Sequence, residues 1–501
     1  MKYIKYITAL ILVSFLFGSC DKWLYTEPED GIIREDFWKS KEDVQAAVMG
    51  IYASLLGNPQ GSGYSVPDLM FLWGEVRGDM VVPHRLNEDF EYIYNGDILP
   101  ENGVVRWNSV YRTINYCNTV LEFAEGVQQL DPSFSDELLH AFEAEALTIR
   151  ALMHFYLVRS FGDVPIKLEA TVSDNEEFYP EKSPASQVFT QIISDLTTAE
   201  QSIPETYPTL GERKSRITKH TVNAIQADVY LWTEDYNKAL EACNKIISSG
   251  QFGLVDGSNP DLWFEQMFVL GNSGESIFEL PFSISKLNNF YTLFKQSKYL
   301  KGSALTIENL FVADPTANPD STDIRGDRGS YRVGDDYTIW KYVGKTRTIF
   351  REPSESFAHF PVYRYAEILL FKAEALAQMG QTEEAIKLVN TIRRRGRASR
   401  LTNLNPGETD VLSVTRFILD ERAREFAYEG KRWYDILRNS KRNNYENMQL
   451  LLNMVVISAP AQKQQTILNK MRDTLYHYFP IYYKEIESNP NLVQNPFYVT
   501  N

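Results

Sequence analysis

Six histidines, at positions 84, 140, 154, 220, 359 and 477, are the first candidates for catalysis or metal binding, and none of their spacings gives HExxH or another ligand pattern. The chain has no GxSxG nucleophile elbow and no phosphate-binding glycine loop. A glycoside hydrolase would need two carboxylates roughly 5–9.5 Å apart. With 66 Asp and Glu, candidate pairs occur everywhere and none is singled out. Asp314, Asp320, Asp323 and Asp327 offer oxygen ligands for a calcium ion. Their spacing departs from the EF-hand loop, so they read as a solvated acidic loop, and no metal or other cofactor is expected. Cys117 and Cys243 lie in apolar helical sequence and read as small buried hydrophobes. What remains is aromatic: 29 Tyr, 28 Phe and 8 Trp make 13% of the chain. Two stretches mix rings with hydrogen-bonding side chains, and such rings either fill packing cores or line a ligand surface. The first, 64–107, carries Tyr64, Trp73, Arg77, Asp79, His84, Tyr92, Tyr94 and Asn95 among Gly and Pro. The second, 290–342, carries Tyr291, Tyr299, Tyr331, Tyr337, Trp340 and Tyr342.

The elements that must position these residues are mostly helical. A length of 501 residues with 44% hydrophobic and 23% charged residues describes a folded chain with a sizeable core. The formal charge of −15 speaks against a phosphate-tracking nucleic-acid binder. Three cysteines are too few for a disulfide framework or a cysteine-rich zinc module. Residues 219–250 place Ala224, Ala227, Leu231, Ala239, Ala242 and Ile246 on one apolar face of each of two helices. Residues 363–396 do the same, and a shift of 146 superposes Ala227 on Ala373, Asp228 on Glu374, Ala239 on Ala385 and Ile246 on Ile392. This internal repeat resembles the tetratricopeptide repeat, whose small residues let paired helices approach closely. Two weaker pairs fall at 137–162 and 410–438. The long gaps between pairs argue against a simple solenoid. The interval 251–350 is rich in turn formers, such as Asp256-Gly257 and Asp314-Pro315, and is expected to be an irregular subdomain inserted between repeats.

Residues 1–19 read as a lipoprotein signal peptide. Lys2 and Lys5 precede an apolar run from Ile7 to Phe17 that is too short to span a membrane. Phe17-Gly18-Ser19-Cys20 resembles a bacterial lipobox with Phe17 in place of leucine, which makes Cys20 the lipidated first residue of a body running from 20 to 501. Loss of the leader removes two lysines and no acids, so the mature chain is the more acidic.

Segments along nearly the whole chain resemble the SusD/RagB family of Bacteroidetes surface lipoproteins, in the family's order. They include Trp107-Asn108-Ser109-Val110-Tyr111, Phe161-Gly162-Asp163-Val164-Pro165, Arg216-Ile217-Thr218-Lys219, Glu275-Ser276-Ile277-Phe278-Glu279 and Arg364-Tyr365-Ala366-Glu367. Glu429-Gly430-Lys431-Arg432-Trp433-Tyr434-Asp435 and Asn489-Pro490-Asn491-Leu492-Val493-Gln494-Asn495-Pro496 complete the series. The resemblance implies a lipid-anchored outer-membrane protein, not an enzyme, that captures an oligosaccharide and delivers it to a SusC-like TonB-dependent transporter. A peptide-import lipoprotein of the same family and a helical glycoside hydrolase stand as alternatives. Trp73-Gly74-Glu75-Val76-Arg77-Gly78-Asp79 matches a family segment whose Arg and Asp lie near the glycan-binding face, which makes Arg77 and Asp79 site candidates, with Trp73 beside them as a ring of the 64–107 stretch. Tyr92, Tyr291 and Trp340 join them as stacking rings. Arg150, Arg422 and Arg432 read instead as helix-to-helix ion partners.

Overall fold

A computed structural model describes residues 37–57, 63–171, 179–312, 322–402, 406–407 and 409–499. The expected leader, Cys20, Asp314 and Asp320 lie outside these residues. The chain runs through helices α1 (Lys41–Leu56) and α2 (Val66–Glu75), strand β1 (Val81–Pro83), then α3 (Glu88–Tyr94), α4 (Asn108–Leu130), α5 (Asp136–Phe161) and α6 (Ala185–Ser202). The first repeat is α7 (Lys219–Trp232) and α8 (Tyr236–Ser248). Strands β2 (Ser276–Leu280), β3 (Leu300–Gly302), β4 (Tyr331–Arg332), β5 (Thr338–Ile339) and β6 (Phe360–Arg364) follow. The second repeat is α9 (Tyr365–Gln378) and α10 (Thr382–Gly396), succeeded by α11 (Val411–Glu425), α12 (Arg432–Tyr445), α13 (Gln449–Ser458) and α14 (Gln464–Met471). No helix among the described residues is long and apolar enough to cross a membrane.

Both repeats form where the periodicity predicts them. Ala227, Ala239 and Ile246 and their counterparts Ala373, Ala385 and Ile392 are all fully buried. The turns correspond too: Glu234 and Gly380 both take left-handed backbone, at φ 63° and 77°. One repeat meets that demand with glycine and the other with a glutamate that bears the strain. Asp228 and Glu374, equivalent in the repeat, converge on one arginine. Arg438 of α12 donates to both Glu374 oxygens at 2.8 and 3.0 Å and lies 3.5 Å from Asp228.

Pairs far apart in sequence adjoin in space. α8 packs against α9, α6 against α5 and α7, and α4 against α1 and α5. The superhelix is therefore continuous despite its gaps. The chain leaves the stack through β2 and returns through antiparallel β6, with Ser276 opposite Arg364, so the intervening insert is closed at a narrow neck. The stretch expected to be irregular holds strands β2 to β5 and two single-turn π-helical segments, Glu265–Val269 and Thr292–Gln296. Its strands make two further ribbons, β3 with β1 from outside the stretch and β4 with β5.

The expected cross-helix ion pairs are present. Arg150 clamps Asp195 at 2.8 Å through two nitrogens, and Arg422 meets Glu367 at 2.9 Å and Asp435 at 2.8 Å. Cys117 and Cys243 are buried free thiols. Helix α2 is buried along its whole length, Asp68 and Glu75 included. It meets the turn after α11 at a seam with no room for side chains. A Cβ on Gly74 would sit 1.9 Å from the Gly430 carbonyl oxygen, and Gly430 itself has φ 73°. At this seam Glu75 accepts the backbone N–H groups of Gly430 and Lys431 at 2.9 and 3.3 Å through one oxygen, while its other oxygen has no partner. Burial pushes the Glu75 carboxyl up to about 8.

Gly74→Ala is expected to cost about 3 kcal/mol, because the atom it meets is backbone and cannot turn away. Gly126→Ala, on the open face of α4 with nothing within 4 Å, should gain up to about 1 kcal/mol. Urea melts of both variants check this. The unfolded chain releases the Glu75 proton near the ordinary carboxylate value, while the folded chain holds it to about 8. That contribution to stability is complete at low pH and is lost as pH rises towards 8. Glu75→Gln keeps the acceptor and removes the titration, so its melting temperature relative to wild type should rise between pH 5 and pH 8; a constant difference would contradict the assignment.

Candidate functional site

The segment carrying Trp73, Arg77 and Asp79 belongs to the scaffold. Trp73, 1% exposed, donates from its indole to the Val104 carbonyl at 2.7 Å and packs edge-on against Phe161. Arg77, 9% exposed, donates to the His477 carbonyl at 2.6 Å and to that of Tyr476, with its guanidinium over the rings of Trp433, Tyr476 and Phe479. Asp79, 2% exposed, is clamped by Arg432 at 2.7 and 2.8 Å. These side chains tie the end of α2 to the C-terminal third of the chain, which corrects their expected role in stacking and bonding a ligand. Trp340 is corrected likewise: it is fully buried, holds the Thr346 carbonyl at 2.9 Å and packs on Phe350. The small crevice that Arg77, Tyr94 and Tyr476 help to line encloses about 40 Å³. That is room for water and far below the roughly 300–1,000 Å³ of a small-molecule site.

The two aromatic stretches nevertheless meet, and they do so through backbone. β1 pairs antiparallel with β3, Val82 opposite Lys301, and the ribbon continues as His84 and Arg85 donate to the carbonyls of Tyr299 and Lys298 at 2.8 and 3.2 Å. Gly302 donates to the Tyr337 carbonyl at 2.9 Å, which docks the β4–β5 hairpin onto the same ribbon. The outcome is an open face shared by His84, Lys298, Tyr299, Lys301, Asp336 and Tyr337. Asp336 accepts from Lys301 at 2.8 and 3.0 Å, with His84 at 3.5 Å and Lys298 at 3.9 Å. The Tyr337 hydroxyl donates to Glu308 at 2.7 Å. Tyr299 lies near Phe90 of α3, its ring centroid 6.4 Å away. Burial, followed by Lys298 and Lys301, holds the His84 imidazole below its usual range, so it is neutral at pH 7. The hydrogen bond from Lys301 keeps the Asp336 carboxyl low, and it is ionised there.

Three residues of this face, Lys298, Asp336 and Tyr337, have left-handed backbone, at φ 47°, 53° and 53°. Non-glycine residues in that region cost of order 1 kcal/mol each and persist where surrounding structure imposes them, commonly at binding sites. Tyr92, 43% exposed, stands on α3, and Tyr291 is half-buried beside Glu352. His84, Tyr299 and Tyr337 fall within the two aromatic stretches. Lys298, Lys301 and Asp336 are new, and the Gly334-Asp335-Asp336 turn signal was the clue to the last. Among the described residues no group of three or more His, Cys, Asp and Glu could hold a metal ion. Asp323 is paired with Arg325 at 2.7 Å.

Known proteins share this architecture. A family model described as "SusD family" matches residues 317–498, and one described as "Starch-binding associating with outer membrane" matches residues 36–231. SusD-like proteins P38 and P2 of Formosa agariphila are each 27% identical to the chain, with 98% of both chains covered. A SusD superfamily protein from Bacteroides vulgatus superposes with a TM-score of 0.74 at 21% identity, over 92% of this chain and all of that one. NanU of B. fragilis does so with 0.69 at 22%, over 95% and all of its chain. With the two models matching its N-terminal and C-terminal parts and one superhelical fold shared over more than nine-tenths of its length, the chain belongs to the SusD/RagB family.

Proposed function

We propose that the protein captures oligosaccharides on the ribbon face and delivers them to a SusC-like TonB-dependent transporter of the outer membrane, to which lipid on Cys20 tethers it after residues 1–19 are removed. The observation that carries the reading is the meeting of two ring-bearing stretches, more than two hundred residues apart, on one open face furnished with Lys, His, Asp and Tyr side chains. Such a face suits hydroxyl-rich ligands, because ionised side chains and phenol hydroxyls give directional bonds while the rings offer apolar area. The description of the matching family model, starch binding with outer-membrane association, supports the same reading. Tyr92 and Tyr291, both reachable by solvent, are proposed as flanking contacts. The site is a surface without an enclosing wall, and closure against the transporter would complete it.

Calorimetry of the mature chain with an oligosaccharide library tests the reading. Tyr337→Ala and His84→Ala are each expected to weaken the best ligand by roughly tenfold, the value of one good polar or stacking contact, with circular dichroism unchanged. A ligand that binds both variants as tightly as wild type would move the site elsewhere. Release of reducing ends from any member of the library would replace capture with hydrolysis.

A further inference from the structure

We infer that the ribbon face selects ligands carrying an acidic group, a carboxylate or a sulfate ester on the oligosaccharide, through Lys298, Lys301 and His84. The inference rests on the capture reading and narrows its substrate class. The chain as a whole is strongly acidic, yet here the balance is locally reversed. Two lysines, Lys298 and Lys301, approach the single carboxylate of Asp336, with the neutral imidazole of His84 beside it. Of the neighbouring acids, Asp335 pairs with Arg332 at 2.8 Å, and Glu308 stands at the edge of the face, where it accepts the Tyr337 hydroxyl. Arg85 adds a further cation at the end of the ribbon, where it donates to the Gln296 carbonyl at 3.3 Å.

Lys301 is bonded to both Asp336 oxygens, whereas Lys298 is under-served. An ammonium group has three donors. Lys298 uses one on the Asp335 carbonyl at 2.8 Å, and its 3.9 Å separation from Asp336 exceeds a hydrogen bond. Its side chain is 14% exposed, so the stem is buried and the charged end is partly stripped of water. A partly desolvated cation with spare donors gains most from an anionic acceptor. A neutral sugar would leave the positive excess uncompensated. Lys298 and Asp336 both hold left-handed backbone, which the surrounding structure must impose.

The test uses the folded mature chain and three size-matched oligosaccharide series, neutral, uronic-acid and sulfated, measured by calorimetry at two salt concentrations. One acidic series is expected to bind at least about tenfold tighter than the neutral one and to weaken with salt; which acidic series wins identifies the group. Lys298→Met and Lys301→Met should each reduce acidic binding by roughly tenfold and leave neutral binding alone. Lys387→Met, whose side chain pairs with Glu383 on α10, should change neither. Asp336→Asn removes the competing carboxylate with a residue tolerant of left-handed backbone, and it should tighten acidic binding, a gain that misfolding cannot produce. Equal affinity for neutral and acidic series, or acidic binding untouched by both lysine changes, would overturn the inference and leave capture standing. Absence of binding in all three series would overturn both.

Discussion

A buried network of charges, centred on α11 and the turn that follows it, holds the separate parts of this protein in register. Arg364 at the neck meets Glu275 at 3.2 Å, Glu425 at 2.6 Å and Glu429 at 2.9 Å. Arg395 of α10 joins Glu275 and Glu425. From the insert, Arg325 reaches Glu421 and Glu425 at 2.5 and 2.9 Å, and Lys341 reaches Glu429 at 2.7 Å. Neighbouring cations hold Glu425 and Glu429 below the usual carboxylate range although burial alone would raise them. Taking such charges out of water is expensive, and removal of one partner from a buried pair costs about 3–5 kcal/mol. The network is therefore better understood as a device for register than as a source of net stability: each acid tolerates burial only when its own base arrives.

That constraint reaches the candidate site. Arg325 and Lys341 flank the β4–β5 hairpin on both sides, so fixing them to α11 and its following turn fixes the hairpin. The hairpin turn then places Asp336 and Tyr337 on the β1–β3 ribbon. Arg432 and Asp79 anchor the other side, just before β1 begins. The strained backbone of the face is affordable because the scaffold on both sides is rigid. The same logic explains Trp73, Arg77 and Asp79, whose chemistry suits sugars as well as packing and whose local sequence does not distinguish the two uses.

The helical scaffold was largely legible in the amino-acid sequence. The alanine spacing locates α7 to α10, the repeat makes Asp228 equivalent to Glu374, and Arg150, Arg422 and Arg432 read as ion partners. The continuity of the stack was not legible, because it depends on β2 meeting β6 across eighty residues of insert. The site was legible as two regions and not as residues. Trp73, Trp107 and Trp340 are the largest rings in them, all three are buried, and large rings are what a core buries first. Tyr337, smaller and with a hydroxyl to place, remained at the surface.

The sequence by itself determined the helix pairs and their small-residue seams, since these follow from spacings within about thirty residues, together with the resemblance that named the family. Only the tertiary structure decided which polar and aromatic side chains line the candidate site. That choice depends on β1 meeting β3 from more than two hundred residues away and on buried ion pairs that spend some Arg, Lys and Asp on the scaffold while leaving Lys298, Lys301 and Asp336 at the surface. Burial is a property of the whole packed chain, and neither residue type nor spacing encodes it locally.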